Sequence, residues 1–208
     1  MDKADTVKLR FLFDFGSPNA YLCHKVLPAM AARTGVAAAY VPILLGGLFK
    51  LTNNRSPAEA FADIPNKRAY DALEFRRFLE KHGLTAYRRN EFFPVNTLTI
   101  MRGAVAAQAL GCFAPYVDTV FSCMWERSLD MADANVVAAA LNDAGLPAAE
   151  LFAAMGTAEV KQALMANTQG AFEQGAFGSP TFFVNDQMFF GKDRLREVEE
   201  EIVSQRNR

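Results

Sequence analysis

The sequence predicts an α/β fold in two halves, a β-α-β unit near the start and a β-β-α unit at the end, with a large all-helical insertion between them. Three observations carry this. A short apolar run closing at Gly16 is followed at once by Ser17-Pro18 and by apolar residues at helical spacing. Two further apolar runs near the C-terminus are joined by Asn185-Asp186. The long stretch between is helix-periodic and dense in alanine.

Residues 7–15 mix apolar and β-branched side chains, the pattern of a buried strand. Ser17 is a favoured N-cap and Pro18 a favoured first helical residue. Tyr21, Leu22, Val26, Leu27, Met30 and Ala31 continue at helical spacing, and Gly35 suits the left-handed C-cap. Residues 37–45 read as a second strand ended by Gly46-Gly47; it should run parallel to the first through a right-handed crossover. Helix-like segments follow at residues 67–82, 97–110, 113–127, 134–144 and 149–168, with Asn96-Thr97, Asp133 and Pro147 marking starts or breaks. Runs such as Val136-Val137-Ala138-Ala139-Ala140 read as close helix packing. Residues 181–184 and 187–190 form a hairpin around Asn185-Asp186, and Gly191-Lys192-Asp193 leads into a last helix over 194–205. This order is the thioredoxin arrangement carrying a helical insertion. It divides the chain into a thioredoxin-like domain, residues 1–48 and 176–208, and an inserted helical domain, residues 49–175.

The charges balance: 22 Lys and Arg stand against 23 Asp and Glu, a net −1. A broad electrostatic surface for nucleic acid or membrane is therefore not expected, although a local basic pocket remains compatible. Charges interrupt every apolar run before membrane-spanning length, and the polar start, residues 1–6, has no signal-peptide pattern. The expectation is a cytoplasmic protein. Cys23, Cys112 and Cys123 form no C-x-x-C, and the only histidines are His24 and His82, so neither a disulfide framework nor a zinc site is expected.

Ser17 falls at a strand-to-helix junction, where unpaired N–H groups and the helix dipole favour an anion. Thioredoxin-like redox proteins place a reactive cysteine there. Here the four residues are Ser17-Pro18-Asn19-Ala20, which excludes dithiol exchange by this chain at this place. A serine hydroxyl can still donate to the thiolate of a bound cofactor. Lowering a thiol by about two pKa units needs roughly 2.7 kcal/mol of differential stabilisation, within reach of one hydroxyl bond and a helix terminus. The plainer reading of Ser17 is an N-cap alone. Ser179-Pro180 immediately precedes an apolar strand, and X-Pro is where cis bonds occur. A cis bond would turn the Ser179 N–H and C=O toward the cleft, ready to pair with a peptide-like ligand; the plainer reading is a trans proline before an edge strand.

Residues 13–22, Phe-Asp-Phe-Gly-Ser-Pro-Asn-Ala-Tyr-Leu, resemble the opening of 2-hydroxychromene-2-carboxylate isomerases, glutathione-dependent enzymes similar to kappa-class glutathione transferases. The resemblance continues, in family order, through Asn54-Arg55-Ser56-Pro57, Phe93-Pro94-Val95-Asn96-Thr97, residues 178–184 and residues 190–195. It implies that Ser17 faces the glutathione sulfur, that the backbone of Ser179 before Pro180 binds the cysteinyl part, and that Lys192 and Asp193 meet the γ-glutamyl end. Lys67 resembles a further glutathione contact. Asn54 and Arg55 match positions lining the substrate side, with Tyr87 and Arg88 a second pair; a bidentate arginine suits a carboxylate. For Arg55, Lys67 and Arg88 the alternative is a solvated surface charge. Phe49, Phe61, Phe92 and Phe93 are candidates to wall an aromatic site, and Asn96 suits an N-cap.

The implied reaction interconverts 2-hydroxychromene-2-carboxylate and trans-o-hydroxybenzylidenepyruvate, with glutathione as a regenerated cofactor and no metal. A homodimer is also implied. Alternatives are a kappa-like transferase conjugating other electrophiles and a noncatalytic thioredoxin-like binding module; a disulfide oxidoreductase lacks its C-x-x-C.

Overall fold

Residues 7–207 are described by the structure, a computed structural model. The polar start on which the expectation of no leader rests, residues 1–6, lies outside them.

Strand β1 (Leu9–Phe13) is central, and Leu9, Phe11, Leu12 and Phe13 are buried, as a strand covered on both faces requires. Helix α1 (Pro18–Thr34) follows and ends at Gly35, whose N–H still bonds the Ala31 carbonyl and whose φ of 70° turns the chain out of the helix. The chain returns as β2 (Ala38–Pro42), parallel to β1 with Leu9 opposite Ala38 and Phe13 opposite Pro42. At the other end β3 (Thr181–Val184) pairs antiparallel with β1, Leu9 opposite Val184, and with β4 (Gln187–Phe190) in the expected hairpin. The sheet order is β2-β1-β3-β4. Aromatic rings hold its centre: Phe11 stacks on Phe182 at 5.2 Å and meets Tyr40 edge-on at 4.8 Å.

Between β2 and β3 run α2 (Leu45–Thr52), α3 (Pro57–Ala60), α4 (Pro65–His82), α5 (Leu98–Ala109), α6 (Phe113–Trp125), α7 (Ala134–Asp143), α8 (Ala148–Met155) and α9 (Ala158–Glu173). A 3-10 turn (Lys192–Arg194) then leads into α10 (Leu195–Arg206).

Three elements differ from the sequence expectation. Gly46-Gly47 does not end β2; both residues lie inside α2. The β1–β2 ladder closes when the Ile43 N–H bonds the Phe13 carbonyl, and the carboxylate of Asp14 then accepts the Leu45 N–H at 2.8 Å, starting a helix that glycine propensity alone disfavours. The single helix expected over 149–168 is two, because Thr157 caps α9 by accepting the Val160 N–H. The short α3 was not expected; Ser56 and Glu59 close a capping box around it.

The larger core cluster runs from β1 and α1 into α5, α6, α8 and α10. Packing is closest at Gly103 on α5, where an added Cβ would sit 1.9 Å from the Tyr116 hydroxyl and 2.5 Å from Met155 Cε. A smaller cluster, including Leu12, Ile43, Leu48, Ala171 and Phe183, fills the other sheet face under α2 and α9. By contrast α4 has no buried residue.

Candidate active site

The turn from β1 into α1 is held by backbone and side chain together. The Ser17 N–H bonds the Asp14 carbonyl at 3.0 Å, and Ser17, in an extended conformation, accepts the Ala20 N–H on its hydroxyl oxygen at 3.2 Å. Ser17 is 5 % exposed. Its own proton goes to the Ser179 carbonyl at 2.9 Å, a bond that joins segments 162 residues apart in the chain. The Ser179-Pro180 peptide is cis, and the Ser179 hydroxyl accepts the Asp14 N–H at 3.2 Å.

Two more segments are tied to this edge. The Gly191 N–H bonds the Pro180 carbonyl at 3.0 Å, which brings in the Lys192-Asp193 turn. The Asn54 side-chain amide donates to the Phe177 carbonyl at 3.0 Å, and its oxygen accepts the Arg55 N–H at 2.9 Å. Ser17, Ser179, Pro180 and the Lys192-Asp193 turn are thus linked by direct bonds or by immediate neighbours, and Asn54 reaches the same loop two residues before Ser179. Arg55 is exposed, and its guanidinium has no ion-pair partner among the described residues. Lys192 is buried, bonds the Asp193 carboxylate and lies over the Phe78 ring at 5.3 Å. The pair opens on a groove of about 910 Å³ between α1, α4 and α10, a size typical of small-ligand pockets.

The remaining candidates sit elsewhere. Lys67 pairs with Asp71 on α4 and covers the Phe61 ring at 5.1 Å. Tyr87 packs among Phe75, Tyr21 and Trp125, at 4.8, 5.9 and 6.2 Å, and burial pushes its phenol up. Arg88 bonds the Trp125 carbonyl through its backbone N–H, its side chain exposed. No hydrogen bond or ion pair between described residues joins these three to Ser17, Ser179 or Asn54. Phe93 rests on Trp125 at 5.8 Å; Asn96 is not the N-cap of α5, which is Thr97, but stands one residue before it and accepts the Leu98 N–H at 3.1 Å.

Asp14 is a support of the site that no sequence motif singles out. It is 1 % exposed, and its two carboxylate oxygens accept the Gly16 and Leu45 N–H groups at 2.8 Å each. Burial raises its pKa, while those two backbone donors and the Thr97 side chain pull it down. One carboxylate therefore fixes the Ser17 turn, the start of α2 and the approach to α5. The buried Trp125 adds a bond from its indole N–H to the Phe15 carbonyl at 2.8 Å. Within the first turn of α1, Asn19 holds a buried side-chain oxygen with no hydrogen-bond partner among the described residues.

A serine hydroxyl at the N-terminus of the first helix, bonded to the residue before a cis-proline, is the thioredoxin-type arrangement with serine in place of redox cysteine. The chain belongs to the family of the DsbA-like thioredoxin domain, whose model matches residues 8–203. It is 29 % identical over 200 residues to a 2-hydroxychromene-2-carboxylate isomerase of Sphingobium xenophagum, covering 93 % of this chain and 97 % of that one. It is 26 % identical over 200 residues to glutathione S-transferase kappa 1 of Rattus norvegicus, covering 90 % and 87 %. A solved structure of 2-hydroxychromene-2-carboxylate isomerase superposes with a TM-score of 0.77 at 25 % identity, over 94 % of each chain. These relatives place it among isomerase- or glutathione-transferase-like enzymes. Among the described residues no helix is long and apolar enough to cross a membrane.

Proposed function

We propose that this protein is a glutathione-dependent isomerase of the cytoplasm, acting in aromatic catabolism as a homodimer and interconverting 2-hydroxychromene-2-carboxylate and trans-o-hydroxybenzylidenepyruvate. The observation that carries the reading is the Ser17–Ser179 hydrogen bond at the N-terminus of α1. The donor set fits glutathione. Ser179 presents a backbone carbonyl at 2.9 Å from a hydroxyl that can turn toward a sulfur. Asp193, 68 % exposed on its side chain, suits an α-ammonium group, and the groove beside it has room for the γ-glutamyl arm.

Bound glutathione would supply a thiolate, the nucleophile needed for reversible conjugate addition that turns the substrate double bond into a rotatable single bond. The chain's own residues do the rest. Ser179 accepts the cysteinyl N–H, which frees the Ser17 proton. Ser17 then donates to the sulfur, and the terminus of α1 adds its partial positive charge. Arg55 takes the substrate carboxylate, with Asn54 holding that loop against Phe177. In this reading residues 1–48 and 176–208 bind the thiol, residues 49–175 supply the substrate side through Asn54, Arg55, Tyr87 and Arg88, and Lys67 of that same stretch adds a glutathione contact.

The test is turnover with limiting glutathione. Many product molecules per glutathione, with the thiol recovered, is the result expected. Stoichiometric loss of glutathione into an adduct would instead favour a kappa-like transferase, the second reading, which the similarity to the rat enzyme supports. No turnover and no glutathione binding would leave a noncatalytic module.

A further inference from the structure

The Ser179-Pro180 loop is flanked by an aromatic pair that neither the fold nor the glutathione reading explains. Phe177 and Phe190 are 38 % and 39 % exposed, yet their ring centroids lie 4.4 Å apart at 44°. Phe190 is seated against the Gly178 backbone so closely that a Cβ there would fall 2.7 Å from the ring. Both supports are fixed: the Phe177 carbonyl is held by the Asn54 amide, the Gly178 carbonyl by the Thr181 hydroxyl at 2.8 Å, and Phe190 pairs with Thr181 across the hairpin.

The place of this pair is what gives it meaning. Phe177 is two residues from Ser179, a reach of at most about 7 Å along the chain, and the Ser179 carbonyl meets the Ser17 hydroxyl. The same Asn54 that holds Phe177 is followed by Arg55, an exposed cation without an ion-pair partner among the described residues. An exposed pair of tilted aromatic rings and a guanidinium without an ion-pair partner among the described residues, on one loop junction, match a ligand with a ring and a carboxylate.

We propose that Phe177 and Phe190 form the platform that receives the aromatic ring of a carboxylate substrate and so set the preference of this protein for aromatic over aliphatic acids. This deepens the isomerase reading and rests on it for the identity of the substrate, but ring binding can be measured without it. The probe is trans-cinnamate, an unreactive aromatic carboxylate, with crotonate as its ringless counterpart. Both are titrated calorimetrically into the full chain, wild type, Phe177→Leu and Phe190→Leu. Glutathione thiolate absorbance and sedimentation are followed in parallel. Cinnamate affinity should fall roughly tenfold in each variant, equal to about 1.4 kcal/mol, with crotonate affinity and thiolate absorbance unchanged. The proposal is overturned if wild type does not bind cinnamate, if both variants bind it as wild type does, or if crotonate weakens in step. It is also overturned if the variants change only the sedimenting mass, which would make the pair an interface with a second copy. Loss of cinnamate binding in the variants, with no thiolate signal even in wild type, would uphold the platform and remove the glutathione reading.

Discussion

In Ser17→Ala one oxygen with two engagements disappears. The Ala20 N–H loses its cap, at a cost of about 1 kcal/mol. The Ser179 carbonyl loses its donor; because water can reach that edge through the ligand cleft, about 1 kcal/mol is the appropriate size rather than the full penalty for a sealed group. The sum, about 2 kcal/mol, lowers the melting temperature of a chain this long by about 4–8 °C, and the protein stays folded. The larger consequence falls on a bound thiol. A hydroxyl bond to a charged group is worth about 1.5–3 kcal/mol, so its loss should return the thiol by roughly one to two pKa units toward its free value of about 8.5. The assay is ultraviolet thiolate absorbance of glutathione against pH, with wild type and variant compared at saturation and the melting curve taken alongside. If the variant melts lower but its bound thiol titrates where the wild-type complex does, Ser17 is a cap and nothing more.

Other substitutions probe the surroundings. Arg55→Gln should raise KM for the aromatic carboxylate roughly tenfold or more, the worth of a charge-assisted contact, and leave thiolate formation alone; an unchanged KM would remove Arg55 from the substrate side. Asp14→Asn places an amide against two N–H donors and should cost about 2 kcal/mol, read as a lower urea midpoint. Asp14 also has a pH signature. Its folded pKa is raised by burial, so the folded chain holds that proton more tightly, and the stability from this group declines as pH rises from 3.8 through the folded value and is level above it. The wild-type-minus-variant stability difference should carry that slope in acid; a flat difference would refute the assignment. Gly103→Ala drives a methyl into the Tyr116 hydroxyl and endangers its bond to the Ile100 carbonyl, so a loss of about 3 kcal/mol is expected, and a wild-type urea midpoint would contradict the packing described.

What could be read from the chain was what is decided locally. Strands β3 and β4 are bounded by Pro180, Asn185-Asp186 and Gly191, and α1 by Ser17-Pro18 and Gly35; each boundary is a property of the residue that makes it. Gly46-Gly47 misled because the donor that starts α2 is answered by Asp14, 31 residues earlier. The break before α9 is carried by Thr157, whose cap on Val160 stands inside an alanine-rich stretch that otherwise keeps helical character. At the site, Ser17 and Ser179 announce themselves by helix-start and strand-start chemistry. Asp14 does not, since an aspartate before Gly16 reads as an ordinary turn, and only Leu45 and Thr97 folded against it make it a buried support. Phe177 and Phe190 are two among 18 phenylalanines, and they meet only because the hairpin register puts Phe190 opposite Thr181 while the folded loop before that strand carries Phe177.

A hydroxyl carries a single proton, and at rest the proton of Ser17 is turned away from any arriving sulfur and held by the Ser179 carbonyl. On the glutathione reading, a thiol that comes without a neighbouring amide cannot loosen that hold and meets only the oxygen's electron pairs. A cysteinyl peptide offers the carbonyl a replacement and turns the proton outward in the same act. The site would then be deaf to simple thiols such as mercaptoethanol even at concentrations that flood it, a discrimination resting on one rotating O–H bond rather than on the shape of a pocket.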